Sequence, residues 1–153
     1  EKTMIAFLSS SDKKKLLAEI EARFGIELRD YLFLQAGKER VRAFSGTLSR
    51  EELLSLSEFA RVEFAGAYLA RQESFGLRLA FDMTHVLSSR FTKGVIELSS
   101  EEFELWMRGE TLVRELEAGV YVVRYGEDFL GSGYASHGKL YNYVPKERHL
   151  KKR

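Results

Sequence analysis

A chain of 153 residues that is 44% hydrophobic and 31% charged has the composition of a folded protein of one domain or two small ones, not of a disordered segment. It has no cysteine, which excludes disulfides, thiol nucleophiles and thiolate metal sites, and its three histidines, His85, His137 and His149, are too far apart in sequence to suggest a metal site. With 24 basic and 23 acidic residues the overall field is weak, and no apolar run approaches the roughly 20 residues of a membrane-spanning helix, so a soluble, cytoplasmic protein is expected.

Residues 4–8 are a short apolar run with strand character. Ser9-Ser10-Ser11-Asp12 supplies capping residues ahead of 13–24, where Leu16, Leu17, Ile20 and Phe24 recur at helical spacing until Gly25. Segments 31–35 and 40–44, joined by Ala36-Gly37-Lys38-Glu39, predict a β-hairpin. In Ser49-Arg50-Glu51-Glu52 a serine stands three residues before a glutamate, the capping-box spacing, which predicts a second helix over about 50–59. Segments 61–71 and 77–83 read as strands punctuated by Gly66 and Gly76, and 82–87 as a short helical turn. Ser88-Ser89-Arg90 is the candidate junction between two units, 1–90 and 91–153.

In the second unit, 95–98 predicts a strand, and Ser99-Ser100-Glu101-Glu102 a second capping box that opens a helix running to about Arg108 and stopping at Gly109. Four short strands follow, at 111–113, 120–125, 129–135 and 140–144. Gly119, Gly126, Gly131, Gly133 and Gly138 fall between or within them, as in a small, tightly curved barrel. Charge is segregated. Seven glutamates against Arg108 and Arg114 give 97–117 a net charge of −5. In 139–153, Lys139, Lys146, Arg148, Lys151, Lys152 and Arg153 against Glu147 give +5. An anionic partner would dock at the basic end.

The order of a strand (Val95-Ile96-Glu97-Leu98), an amphipathic helix ending Arg108-Gly109, the segment Glu110-Thr111-Leu112-Val113 and a long hairpin resembles the PUA domain, a pseudobarrel of RNA-modifying enzymes and ribosome-assembly factors. Leu130-Gly131-Ser132-Gly133 followed by Gly138-Lys139-Leu140-Tyr141-Asn142-Tyr143-Val144-Pro145-Lys146-Glu147-Arg148 is similar to the PUA-like tail of Sun-type RNA 5-methylcytosine methyltransferases. That tail has the pattern Leu, any residue, Asn, two residues, Pro-Lys, two residues, Arg; here Arg148 stands one residue early. The first half resembles, in element order and in Phe75-Gly76-Leu77-Arg78-Leu79 leading to Thr84-His85-Val86-Leu87, the domain that precedes PUA in a large-subunit ribosome-assembly factor.

The resemblance implies an α+β protein: an N-terminal mixed α/β, pre-PUA-like domain (1–90) followed by a C-terminal PUA-type β-pseudobarrel with a basic tail (91–153). It implies non-catalytic binding of structured RNA, ribosomal or transfer, in ribosome assembly or RNA modification. A monomer without cofactor, metal or membrane contact is expected, with ribosome-assembly or RNA-modification proteins as further partners. The implied RNA contacts are Arg108, Gly109, Thr111 and Leu112 at the helix-to-strand turn, and Tyr143, Lys146, Arg148, Lys151, Lys152 and Arg153 on the last strand and tail. Such a set offers cations for phosphates, a ring for stacking, and a residue without a Cβ where a nucleotide approaches closely.

Other polar and aromatic residues have plainer readings. Trp106, three residues from Phe103, is expected in the barrel core, Asp82 and His85 as a capping pair, and Lys13-Lys14-Lys15 as a solvated helix face. No glycine-rich nucleotide-binding turn precedes a helix, and no thiol is present to attack a pyrimidine ring. Two alternatives stay open. One is an RNA-modification enzyme with its active site in 1–90, which requires a deep pocket with convergent ionisable groups. The other is a protein-interaction module whose acidic helix, 97–108, docks a basic ribosomal or methyltransferase partner.

Overall fold

The computed structural model describes residues 6–28, 31–36, 39–44, 49–52 and 67–150. The first half is an antiparallel sheet in chain order: β1 (Ala6–Phe7), β2 (Leu32–Ala36), β3 (Arg40–Phe44), β4 (Ala67–Glu73) and β5 (Gly76–Leu79). Helix α1 (Ser10–Phe24) starts where the Ser9 hydroxyl accepts from the Asp12 amide at 3.1 Å and ends at Gly25. Leu16, Ile20 and Phe24, four residues apart, form its buried stripe and meet Phe33, Val41, Leu69 and Leu77 of the sheet.

The second predicted helix begins as expected, with Ser49 Oγ accepting from Glu52 N at 3.1 Å, and residues 50–52 are helical; 53–59 lie outside the described residues. The strand expected over 61–71 is described from Ala67, and runs on to Glu73. The strand expected to reach Met83 stops at Leu79, and helix α2 (Phe81–Val86) takes over. Met83 and Thr84 are both buried. Adjacent residues of a strand face opposite sides, whereas a helix can turn both inward.

The second half is a curled sheet of order β6 (Val95–Glu97), β8 (Gly119–Tyr125), β9 (Asp128–Ser136), β10 (Lys139–Asn142), β7 (Leu112–Val113). Only β6 and β8 run parallel. Helix α3 (Ser100–Met107) connects β6 to β7 and carries the complete Ser99–Glu102 capping box. The sheet closes around Trp106, which is fully buried with its indole N–H donating to the Leu130 carbonyl at 2.8 Å. The fold is therefore α+β, with the curled second sheet of a PUA-like pseudobarrel.

Apolar burial runs across the predicted junction. Val120, Val122 and Phe129 of the second sheet join the core of the first half, and Phe91 stacks on Phe129 with centroids 5.2 Å apart. Polar contacts fix this seam: the Arg23 guanidinium donates to the Val120 carbonyl, Thr92 N to Phe24 O at 3.0 Å, and the buried Ser132 hydroxyl to Leu79 O at 3.0 Å. Thr84 Oγ1 donates to Phe81 O and accepts from Gly131 N, so this buried hydroxyl is satisfied both ways. The first half thus covers the β8–β9 part of the barrel's outer face, while β10 and β7 stay uncovered, with Tyr141 39% and Val113 86% exposed.

Candidate nucleic-acid interface

The site is built at the C-terminal end of α3. Gly109 adopts φ +85°, its N–H donates to Trp106 O at 2.9 Å, and Glu110 N donates to Leu105 O at 3.0 Å, a Schellman closure that only a residue without a Cβ enters without strain. Asn142, at the end of β10, ties that turn down: Nδ2 donates to Trp106 O at 2.8 Å and Glu110 O at 3.1 Å, while Oδ1 accepts from Val144 N at 2.8 Å. The asparagine of the tail pattern is thus a clamp between the last strand and the helix end.

After Pro145 the chain makes one 3-10 turn, Lys146–Arg148, and returns over the helix. Leu150 N donates to Met107 O at 2.6 Å and His149 Nε2 donates to Val144 O at 2.8 Å. The imidazole covers Gly109; a Cβ built there would fall 2.6 Å from Nδ1. The open approach to Gly109 expected from the sequence is therefore occupied by the protein's own tail.

The other expected contacts divide. Arg108 is exposed and pairs with Glu104 at 3.2 Å, and Thr111 is exposed. Leu112 is a correction: at 2% exposure it faces the core, because it stands in register with Leu140, also buried, so its side chain cannot reach RNA. Tyr143 is half-buried, with its ring 5.1 Å from Phe75 and the Arg78 guanidinium 5.0 Å from its centroid. Burial, and then the Glu73 carboxylate, push its hydroxyl above the usual tyrosine value. Lys146 is exposed and has no carboxylate partner among the described residues. Arg148 is exposed but engaged, donating to both Asp82 oxygens at 2.9 and 3.0 Å and lying over Phe81. Lys151, Lys152 and Arg153 lie outside the described residues.

Asp82 pairs with Arg148, so the pairing with His85 read from sequence is replaced by one 66 residues away. The acidic segment is also partly neutralised. Arg114 Nε reaches Glu102 Oε2 at 3.0 Å and Arg124 Nε reaches Glu97 Oε2 at 2.6 Å. The Arg114 hydrogen bond holds the Glu102 carboxyl below its ordinary range. Sequence reasoning passed over Asn142 and His149 as site residues; the tail pattern contained the first, and nothing local signals the second.

Among the described residues no cluster of three histidines or carboxylates could hold a metal ion, and no helix is long and apolar enough to cross a membrane. A cleft of about 350 Å³ between α1 and the first sheet is lined by Asp12, Lys15, Glu19, Glu39 and Gln72, among others. Two of its carboxylates are held in the framework: Glu19 Oε1 accepts from Leu77 N at 2.9 Å and Glu39 pairs with Arg71 at 2.7 Å.

Residues 93–150 match the family model of the methyltransferase RsmF PUA domain. The ribosomal RNA small subunit methyltransferase F of Aeromonas salmonicida (strain A449) is 28% identical to this chain over 142 residues. That match takes in 92% of this chain, most of the first half included, and 28% of the relative, so the chain spans less than a third of that protein's length.

Proposed function

We propose that the chain binds structured RNA, and small-subunit ribosomal RNA in particular, without catalysing a reaction on it, because residues 93–150 match the family model of the RsmF PUA domain. Its role on this reading is to hold RNA for a methylation step in rRNA modification, within ribosome biogenesis and in the cytoplasm. The observation that carries the reading is the family match joined to the tail geometry. Asn142 ties the last strand to the α3 end, Lys146 just after Pro145 is exposed, and the sequence goes on to the basic Lys151, Lys152 and Arg153. Cations at that end would neutralise phosphates. The units 1–90 and 91–153 act together on this reading, since the first covers one face of the second.

Filter binding of the full chain to a small-subunit rRNA transcript, over a salt series, tests it. A steep fall of affinity with salt is expected, together with chemical-probing footprints confined to defined helices or loops. Failure to bind, or equal binding to any polyanion, overturns the reading.

A further inference from the structure

Three arginines stand side by side across the first sheet. Arg40 on β3 is the register partner of Arg71 on β4, and Arg71 that of Arg78 on β5. They lie on the face away from α1, because their strand neighbours Val41, Ala70, Leu77 and Leu79 are the residues buried in the first core. Like charges directly opposite one another destabilise a sheet. Glu39 and Glu73 offset part of that repulsion, with Arg71 2.7 Å from Glu39 and Arg78 2.9 Å from Glu73. Arg40 has no carboxylate partner among the described residues and lies over the Tyr68 ring at 5.7 Å.

The row leads into the barrel's aromatic face. Arg78 lies over Tyr143, Tyr143 and Tyr134 both stack on Phe75 (5.1 and 4.5 Å), and Tyr134 is the register partner of the exposed Tyr141. A line of guanidinium forks ending at rings is the chemistry of a strand whose phosphates and unstacked bases are read separately. Neighbouring strands are about 4.8 Å apart, so the three forks span roughly 10 Å, room for more than one phosphate.

We propose that this arginine row is a phosphate track for an unpaired RNA strand, running from Tyr143 across β5 and β4 to the exposed Arg40 on β3, with Tyr141 offering its ring to a base. This rests on the RNA-binding reading above. An unpaired strand fits better than a duplex, because stacking on Tyr141 needs a base free of its helix. Glu39 holds the Arg71 fork in the free protein and gives it up when a phosphate arrives.

The test uses the full chain with a fluorescein-labelled single-stranded RNA of mixed sequence, a fully paired hairpin, and the small-subunit rRNA transcript, each over a salt series. Arg40→Gln with Arg71→Gln is expected to flatten the single-strand salt dependence by about 1.4 in log-log slope, since each phosphate left without its arginine removes about 0.7. Tyr141→Leu is expected to weaken single-strand binding roughly tenfold with the slope unchanged. Glu39→Gln, which frees a fork without touching RNA itself, is expected to tighten binding; an ion pair that only supports the sheet would leave affinity unchanged or lower it. If the transcript is bound but the single strand is not, or is bound equally by wild type and these variants, the track is overturned and the RNA-binding reading stands. If neither is bound, both fall.

Discussion

The ring of His149 lies on Gly109, forty residues earlier in the chain. The glycine is held at φ +85° by the helix closure and leaves no room for a Cβ under the imidazole. Gly109→Ala is therefore expected to cost about 1–3 kcal/mol through backbone strain and displacement of the tail. In a His149→Ala background the steric part vanishes and the cost should shrink toward the strain alone, which a double-mutant cycle in denaturant measures. Equal costs in both backgrounds would mean that the imidazole is not seated there.

Lys146 and Arg148 are two residues apart but differ in their partners, and their effects on RNA binding should differ too. Lys146→Gln is expected to reduce the salt slope of transcript binding by about 0.7 to 0.9. Arg148→Gln should do less, because Asp82 already neutralises that guanidinium. Removing Lys151, Lys152 and Arg153 together should lower the slope by roughly two to three. A tail deletion with unaltered affinity and slope would make the basic end a solubilising appendage.

Glu102 links acidity to stability. Its folded-state pKa lies below the ordinary 4.5, chiefly through the Arg114 hydrogen bond. A carboxylate with a depressed pKa contributes stability that is present above the unfolded value and lost as pH falls through the folded one. The chain should lose stability below about pH 4.5, and Arg114→Gln should flatten that part of the profile. A profile identical in wild type and variant would rule out this pair as the origin.

The fragment 91–153 should unfold cooperatively around its own Trp106 core, yet at a lower temperature than the full chain. Val120, Val122 and Phe129 lose the residues that bury them, and the Val120 carbonyl loses Arg23. A fragment with no thermal transition would place the boundary elsewhere than residue 90, and one as stable as the parent would make the seam inconsequential.

Local signals predicted local structure well. Both capping boxes, the stripe on α1 and the hairpins are written within a few residues of themselves, and each is where the spacing placed it. Helix α2 was half-legible: a helical turn is expected over 82–87, where the helix is found, but 81–83 also read as the end of a strand. At the site, Arg108, Thr111 and Lys146 are exposed, whereas Leu112 follows the barrel's inward alternation. What could not be read was every contact made over long separations: Arg23 on Val120, Arg148 on Asp82, the imidazole on Gly109, and the register that lines up Arg40, Arg71 and Arg78. Register between distant strands depends on turns and bulges outside any one motif, such as the shift between Val41 and Arg42.

Trp106 is the sole indole of the chain, and it is sealed in the second core with its N–H bound to the Leu130 carbonyl. The protein consequently carries a built-in chromophore that watches the barrel and is blind to the five-stranded sheet of the first half. Its emission should be blue-shifted in the native state and move to the red only when the barrel admits water. Followed beside far-ultraviolet dichroism, which registers both halves, it distinguishes a seam that melts as one from halves that part in sequence.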